Sequence, residues 1–262
     1  MARHRTQDLP DLSTLLMPRN AWTIAVEQAV LRRQREAQVA APLPEQIAAK
    51  LAGLIVLDHV HTGQRLLEQD ISTALKVSRA PVREALRILE RDRLVEFQAR
   101  RGATVPVPTP KDLSDVFEVR STLYGMILRH EMEEQPEALR ALFDLHIPKI
   151  IAAADESIDA YAVASFVLNS EVAAISDNQI LADLLQSVSL QTLRYVRLGL
   201  GSKPNYIKDN LKGWRQLHKA IIAGDVEKAV VLAQKRISTV HASAATAVKE
   251  LAASEGDEEK AS

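Results

Sequence analysis

Residues 77–86 restrict the fold of this 262-residue chain more than any other segment, and they read VSRAPVREAL. Ser78 is a favourable N-cap, and Pro81 is tolerated in a first helical turn because the amides there have no helical partner. A polar turn at 76–78 separates this helix from a shorter predicted helix at 68–75. A short helix, a tight turn and a second helix together predict a helix-turn-helix, the arrangement that inserts side chains into the DNA major groove.

The second helix has two different faces. Its apolar positions fall on one side and are expected to pack inward: Val82, Ala85, Leu86 and Leu89. Its arginines share another side at i, i+4 and i+8: Arg79, Arg83 and Arg87. Arg79 and Arg83 are placed to read guanine through O6 and N7, with Ser78 and Ala80 beside them, and Arg87 is expected to meet phosphate. The alternative is a solvated arginine stripe on an ordinary surface helix.

After Glu90 the pattern changes from a helical period to alternation. Residues 94–98 and 103–107 read as two strands around a turn of sequence Ala-Arg-Arg-Gly. This predicts a β-hairpin wing whose tip offers Arg100, Arg101 and Gly102 to DNA. The chain is therefore predicted to be mainly α, with a winged helix-turn-helix followed by an all-α antiparallel helical bundle.

Prolines and composition divide the chain into four segments. Residues 1–43 are an N-terminal extension with a flexible arm and a helix at 22–38, and residues 44–108 are the winged helix-turn-helix. Residues 109–251 carry six helical patterns and form the bundle, whereas the acidic tail 252–262 is expected to be disordered. Residues 1–109 hold 16 Lys+Arg against 12 Asp+Glu, and the remainder holds 17 against 22. Only the first part is thus expected to face a polyanion.

Composition excludes several classes of protein. The chain has no cysteine, so disulfides and thiolate chemistry are absent. No apolar stretch reaches the roughly 18 residues of a membrane-spanning helix, and the N-terminus lacks the apolar core of a signal peptide. We therefore expect a cytoplasmic protein with no membrane partner. The loop 199–203 lacks the spacing of a phosphate-binding loop, and no hydrolase or zinc-protease motif occurs, so an enzyme is not expected.

The segment from about Ile47 to Val105 resembles the winged helix of GntR-family bacterial transcription regulators. The resemblance rests on Gly63, Leu66, Glu68, the run at 77–86, and the pairs at 89–90, 94–95 and 101–102. Residues 116–123, 177–181 and 220–225 resemble the FCD (FadR C-terminal domain) effector domain. Three positions depart from the family: Gln69 replaces the usual arginine and weakens one expected DNA contact, Ala80 replaces threonine, and Arg93 replaces a glycine.

The FCD resemblance implies an effector site, which many members build around a divalent metal. The positions that match the metal ligands are Ser165, Asn169, Trp214 and Arg236, and none is a good zinc ligand. We therefore expect no metal and no cofactor. Arg236 is instead expected to hold a carboxylate or phosphate, with Asn169 hydrogen bonding and Trp214 forming a wall. Secondary candidates are Arg194, Arg197 and His218. The alternative is that Arg236 pairs with an acid, that Trp214 fills the core, and that His218 is an ordinary polar residue.

The function that the resemblance implies is an effector-responsive DNA-binding regulator, with a repressor of a metabolic operon expected. A homodimer would bind a pseudo-palindromic operator, and a small anionic metabolite would release or re-orient it. The alternative is an architectural DNA-binding protein whose helical domain only dimerises. A change of operator affinity on adding a ligand separates the two.

Overall fold

A computed structural model describes residues 21–31, 41–98, 102–201 and 206–260. Outside these ranges lie residues 1–20 of the arm expected at 1–21, residues 32–38 of the helix predicted at 22–38, and the wing residues Arg100 and Arg101. The chain forms two compact units, Met1–Val107 and Pro108–Ser262. In the described part, no helix is both long enough and apolar enough to cross a membrane.

The first unit contains four helices and one small sheet among its described residues. The helices are α1 (Ala21–Leu31), α2 (Leu43–Val56), α3 (Glu68–Leu75) and α4 (Arg79–Arg91). The strands are β1 (Arg65–Leu66), β2 (Glu96–Gln98) and β3 (Gly102–Thr104). The helix α2 packs against both α1 and α4, and its buried stripe contains Ile47, Leu51 and Ile55. Pro44 lies in its first turn, as predicted.

The helix-turn-helix has the predicted form. Lys76 ends α3 in the left-handed conformation with φ of 54°, and the chain then turns into α4 within two residues. The buried side of α4 consists of the four predicted apolar residues, Val82, Ala85, Leu86 and Leu89. The prediction of a mainly helical fold with an N-terminal winged helix-turn-helix is confirmed.

The wing contains a strand that the sequence analysis missed. The antiparallel sheet has the order β1-β3-β2, with Arg65 opposite Thr104 and Phe97 opposite Ala103. Backbone hydrogen bonds between Gly63 and Val105 (2.7 Å), and between Val105 and Gln64 (3.0 Å), extend the β1–β3 pairing. The strand β1 is too short to produce an alternating pattern, so only its pairing with β3 identifies it.

The described part of the second unit is a bundle of six helices. They are α5 (Pro110–Glu134), α6 (Pro136–Glu156), α7 (Ile158–Ala174), α8 (Gln179–Gly201), α9 (Tyr206–Ile222) and α10 (Val226–Lys260). The helix α10 lies against α5, α8 and α9, whereas α6 lies against α7 and α9. Thr109 and Asp112 form a reciprocal capping box that starts α5. The core contains Tyr161, Phe143 and Trp214, each at most 1% exposed.

The segment 252–262, which is expected to be disordered, begins inside α10. The helix α10 continues to Lys260 instead of ending at Leu251. Alanine, glutamate and lysine make up most of this stretch, and all three have high helix propensity, which outweighs the acidic, polar character that predicted disorder.

Candidate functional sites

The first candidate site is the exposed side of α4. Ser78 precedes the helix in an extended conformation, as an N-cap residue does. Arg79, Ala80, Arg83 and Arg87 all lie on the exposed side, opposite the buried residues. The helix N-terminus adds partial positive charge from its unpaired amides, which favours an approaching phosphate.

Arg83 is held by a carboxylate from α3. Its Nε and Nη2 each donate a hydrogen bond of 2.8 Å to Oε1 and Oε2 of Glu68. This bidentate contact raises the pKa of Arg83, and it holds the pKa of the Glu68 carboxyl below its usual value against a smaller opposing effect of burial. Both groups are therefore charged at neutral pH.

Arg79 is held by the neighbouring residue of α3. Its Nη2 donates a hydrogen bond to Oε1 of Gln69, and Nε2 of Gln69 donates in turn to Oγ1 of Thr73 at 3.3 Å. The sequence analysis treated Gln69 as a weakened DNA contact. The structure gives it a role as an acceptor for an arginine, which the arginine usual at this position could not perform.

Arg87 is held from two sides. Its Nη1 donates to Oε2 of Glu90 at 2.7 Å, and its guanidinium carbon lies 4.1 Å from the centroid of the Phe97 ring on β2. The second contact is a cation–π interaction that connects the recognition helix to the wing. At the wing itself, Gly102 has a φ of 76°, which favours glycine, and adding a Cβ there would meet no atom within 4 Å.

The second candidate site lies inside the bundle. The guanidinium of Arg236 on α10 covers the Trp214 ring at 3.2 Å from its centroid, and Nη2 donates to Oδ1 of Asn210 at 3.3 Å. The same Oδ1 accepts a 2.6 Å hydrogen bond from the hydroxyl of Tyr161. Burial lowers the pKa of Arg236, because a charged guanidinium is poorly solvated there.

A second guanidinium belongs to the same interior region. Arg120 on α5 is 7% exposed, and its Nη1 donates to Oγ1 of Thr192 at 3.0 Å. Burial, together with a smaller effect of the positive charge of Arg236, lowers the pKa of Arg120 to about 10. Tyr124 is also buried, which raises its pKa to about 12. We call this set the interior cluster: Arg120, Tyr124, Tyr161, Asn210, Trp214 and Arg236.

The interior cluster is rich in positive charge and poor in acceptors. Among the described residues, no carboxylate oxygen lies within 4.0 Å of the guanidinium nitrogens of Arg120 or Arg236. In the same part of the chain, Nε of Arg120, Nε of Arg236 and the hydroxyl of Tyr124 are buried without a hydrogen-bond partner. Buried charges in proteins are normally paired, whereas these two guanidiniums have no carboxylate partner among the described residues.

The other predicted effector residues have different surroundings. Arg197 donates from Nε to Oδ1 of Asp159 at 2.8 Å, so its charge is already matched. His218 lies 2.7 Å from a carboxylate oxygen of Asp144, and its ring stacks on Phe143 at 6.1 Å between centroids. Three further candidates are half-buried: Ser165 and Asn169 on α7, and Arg194 on α8. The structure thus brings Arg236 and Trp214 together and holds Arg197 and His218 in separate pairs.

Four residues of the interior cluster were not predicted as site residues: Arg120, Tyr124, Tyr161 and Asn210. The signal for Arg120 was its position, since Phe117, Arg120 and Tyr124 share the buried side of α5 at i, i+3 and i+7. An arginine on an apolar face indicates either an ion pair or a bound anion. As for metals, no group of three His, Asp or Glu side chains that could hold an ion occurs in the described ranges. The absence of a metal stays a prediction.

Comparison with known proteins identifies the family. Residues 43–105 match the model of bacterial regulatory proteins of the gntR family, and residues 115–239 match the FCD domain. The gluconate operon transcriptional repressor of Bacillus subtilis (strain 168) is 36% identical over 94 residues, covering 36% of this chain and 38% of the repressor. The Nta operon transcriptional regulator of Aminobacter aminovorans is 27% identical over 143 residues, covering 53% of this chain and 66% of that protein.

Solved structures agree on the fold. Escherichia coli McbR/YncC matches with a TM-score of 0.65 at 18% identity, covering 76% of this chain and 95% of that one. The chain spans only part of the length of the curated relatives above. The family consists of regulators and not of enzymes, as the sequence analysis predicted. The winged helix, the exposed arginines of α4 and the two matching models together identify the chain as a DNA-binding transcription regulator of the GntR family with an FCD C-terminal domain.

Proposed function

We propose that this regulator reads its operator with Arg79 and Arg83 of α4 and meets phosphates with Arg87 and the wing, Arg100, Arg101 and Gly102 included. The observation that supports this most is the exposure of all three helix arginines on one side of α4. Arginine reads guanine by two parallel hydrogen bonds, and each such pair contributes about 1–3 kcal/mol of discrimination.

The test compares single arginine removals on one helix. Arg79→Ala and Arg83→Ala are expected to weaken operator binding by roughly 5- to 150-fold. Arg91→Ala is the matched control, because Arg91 is exposed on the same helix but lies at its C-terminal end. The operator is first obtained by selection from random DNA with the wild-type protein. Unchanged operator affinity in both Arg79→Ala and Arg83→Ala would overturn the proposal.

The protein is proposed to act as a homodimer on a pseudo-palindromic operator, because one recognition helix reads only one half-site. Exposed apolar side chains on two neighbouring helices support a second copy as the covering partner: Met126 on α5, and Ile180 and Leu184 on α8, which are 52–76% exposed. We expect Leu184→Glu to give monomers by light scattering. Ile222→Glu on α9, also 52% exposed, is the control and should stay dimeric. A monomeric wild-type protein at micromolar concentration would overturn the dimer.

The effector is proposed to be a small carboxylate or phosphate bound by Arg120 and Arg236. The unpaired positive charge of the interior cluster supports this, because an anion accepted by both guanidiniums would replace the missing counter-charge. Asn210 and Tyr161 would position it, and Trp214 would supply an apolar wall. Ser165, Asn169 and Arg194 stay candidate neighbours, whereas Arg197 and His218 need to leave their present partners first.

A crowding variant tests this site without deleting a charge. A Cβ on Gly213 would lie 2.9 Å from Cγ of Arg236, so Gly213→Ala is expected to displace that side chain. The matched control is Gly125→Ala, whose Cβ would meet the flexible end of Gln234 at 2.9 Å. The assay is the rise in melting temperature with inorganic phosphate and with a panel of small carboxylates. Loss of that rise in Gly213→Ala alone supports the site, and equal rises in both variants overturn it.

Repression of a metabolic operon is the proposed biological outcome. The name of the Bacillus subtilis relative, a gluconate operon repressor, supports this. Because the proposed target is DNA, we also propose that the protein acts in the cytoplasm. An architectural protein that only dimerises is the second candidate. Operator affinity that falls with the anion found above supports a regulator, whereas operator affinity that no anion of the panel changes supports the architectural protein.

A further inference from the structure

We propose that Glu68 and Gln69 of α3 are positioning residues, which fix the guanidinium groups of Arg83 and Arg79 and thereby set how sharply the protein distinguishes operator bases. This inference rests on the proposed reading of DNA by those two arginines. It assigns to the first helix of the helix-turn-helix a part in selectivity, in addition to its packing against α4.

The geometry at Arg83 leaves one edge of the guanidinium for DNA. Glu68 accepts from Nε and from one hydrogen of Nη2, which form the side edge of the group. The end edge, made by Nη1 and the second hydrogen of Nη2, is not used in this contact. That end edge has the spacing to donate two parallel hydrogen bonds to O6 and N7 of guanine. Glu68 therefore fixes the plane of Arg83 without competing for the base.

The geometry at Arg79 depends on a chain of three side chains. Thr73 donates from Oγ1 to the backbone oxygen of Gln69 at 2.8 Å and accepts from Nε2 of the same residue. The amide nitrogen of Gln69 is thus turned toward Thr73, so its oxygen faces Arg79 and accepts from Nη2. The two arginines are one helical turn apart, and each is held by a different one of two adjacent α3 residues: Glu68 accepts from Arg83, and Gln69 accepts from Arg79.

The negative charge of Glu68 gives its removal a second effect, on the affinity for DNA of any sequence. Its carboxylate lies 25% exposed beside three cations and repels the phosphates that those cations attract. Removing the charge is expected to strengthen binding to any DNA, since non-specific binding follows the sum of charges. Glutamine keeps only one of the two acceptor oxygens, so Arg83 loses one of its two hydrogen bonds and can adopt other orientations, which weakens the preference for one base. Affinity for unrelated DNA and discrimination between bases should consequently change in opposite directions.

Glu68→Gln in the full-length protein tests this prediction. Dissociation constants are measured for the operator, for operators with a single base pair changed in each half-site, and for an unrelated duplex, over a range of salt concentrations. We expect severalfold tighter binding to the unrelated duplex, because one repulsive charge is removed. The discrimination between the operator and its single-base variants is expected to fall by about fivefold or more at the position that Arg83 reads. Glu68→Asp keeps the charge but shortens the side chain, so it should lose discrimination without the gain in non-specific affinity.

Two further variants separate positioning from charge. Glu84→Gln is the charge control, because Glu84 is an exposed carboxylate on α4 that takes no part in these contacts. It should strengthen non-specific binding and leave discrimination unchanged. Gln69→Glu keeps the acceptor for Arg79 and should preserve discrimination, whereas Gln69→Leu removes it and should lower discrimination at the base read by Arg79.

The outcomes distinguish this inference from the proposed function on which it rests. If Arg83→Ala weakens operator binding while Glu68→Gln and Gln69→Leu leave the discrimination ratios at the wild-type value, only the positioning role is overturned. If Arg83→Ala itself has no effect, the reading of DNA by α4 fails first. Equal melting temperatures for Glu68→Gln and the wild-type protein, within about 2 °C, would exclude loss of folding as the cause, since exposed ion pairs contribute little to stability.

Discussion

The guanidinium of Arg236 lies over the indole ring of Trp214, with 3.2 Å between its central carbon and the ring centroid. The ring is fully buried, and the edge-on contact of Phe143 at 6.2 Å fixes it from another side. A cation held this close to the face of a buried aromatic ring interacts with its π electrons. The fluorescence of Trp214 should therefore change when a ligand binds to Arg236.

The first prediction uses the fluorescence of Trp214 to detect a ligand at Arg236. The chain contains two tryptophans, so Trp22→Phe leaves Trp214 as the sole tryptophan. Addition of inorganic phosphate or citrate to Trp22→Phe is expected to change the intensity or the wavelength of its emission, because an anion alters the field of Arg236. The matched control, Trp214→Phe, should show no change on the same addition. If an anion raises the melting temperature but leaves the emission of Trp214 unchanged, it binds at a site other than Arg236.

The second prediction concerns the cost of the unpaired charge at Arg120. Replacing a buried charge by an apolar side chain of similar volume is often neutral or stabilising, by 1–4 kcal/mol at most. Arg120→Met is therefore expected to leave the free energy of unfolding unchanged or to raise it by about 1–3 kcal/mol, and to abolish the rise in melting temperature with anions. Thr192 keeps hydrogen bonds to backbone oxygens of Val188 and Ser189, so the change leaves no orphaned group.

The control for Arg120→Met is Arg129→Met on the same helix. Arg129 is 41% exposed and pairs with Glu227 at 2.6 Å, so its removal should change the free energy of unfolding by less than about 1 kcal/mol. Anion binding should persist in this control. A loss of several kcal/mol in Arg120→Met would indicate that Arg120 stabilises the bundle and would contradict its proposed role in anion binding.

The third prediction concerns pH. All four tyrosines of the chain have raised pKa values because they are buried, and that of Tyr124 reaches about 12. In the unfolded chain, Tyr124 loses its proton near pH 10, whereas in the folded protein it keeps the proton to about pH 12. Its stabilising contribution is therefore complete below pH 10 and is lost between about pH 10 and 12, by roughly 2–3 kcal/mol.

Arg120 changes the stability in the opposite direction in the same pH range. Its pKa is lowered to about 10, so the buried guanidinium loses its charge as the pH rises, and this favours the folded protein. The contribution of Tyr124 is therefore measured by difference. Urea unfolding of wild-type protein and of Tyr124→Phe between pH 9 and 12 should show a stability difference that moves in favour of the variant above pH 10. A constant difference over this range would contradict the raised pKa.

Local periodicity predicted most of the fold but not the partners of its charges. The buried face of α4 followed from the spacing of Val82 and Leu86, because a helix repeats every 3.6 residues. Arg197 and Asp159 are 38 residues apart, and only the packing of α7 on α8 brings them together. Arg120 was missed for a related reason. A charged residue within an apolar pattern is normally assigned to the surface, so its burial was not predicted.

The candidate DNA-reading residues were predictable for a different reason. Arg79 and Arg83 lie in a contiguous run whose turn, cap and spacing are all local. The orientation of the two guanidinium groups was not predictable, because it depends on hydrogen bonds to Glu68 and Gln69 that no residue pattern specifies. Gln69 was expected to weaken one DNA contact, because a comparison of residue types does not show the direction of hydrogen bonds.

The last prediction tests the strained residue at the end of α4. Arg93 has a φ of 54°, in the left-handed region, where a residue with a Cβ is disfavoured by roughly 1–2 kcal/mol. Glycine avoids this cost but loses about 0.5–1 kcal/mol through the greater freedom of the unfolded chain. Arg93→Gly is therefore expected to raise the free energy of unfolding by about 0.5–1 kcal/mol.

Arg91→Gly is the matched control for Arg93→Gly, because it removes the same charge from the last turn of α4, where the backbone is helical. Glycine there should lower the free energy of unfolding by up to about 1 kcal/mol. The free energy of unfolding should consequently rise in Arg93→Gly and fall in Arg91→Gly, although both variants lose one arginine. Equal destabilisation of the two proteins would mean that Arg93 makes contacts worth more than its backbone strain costs.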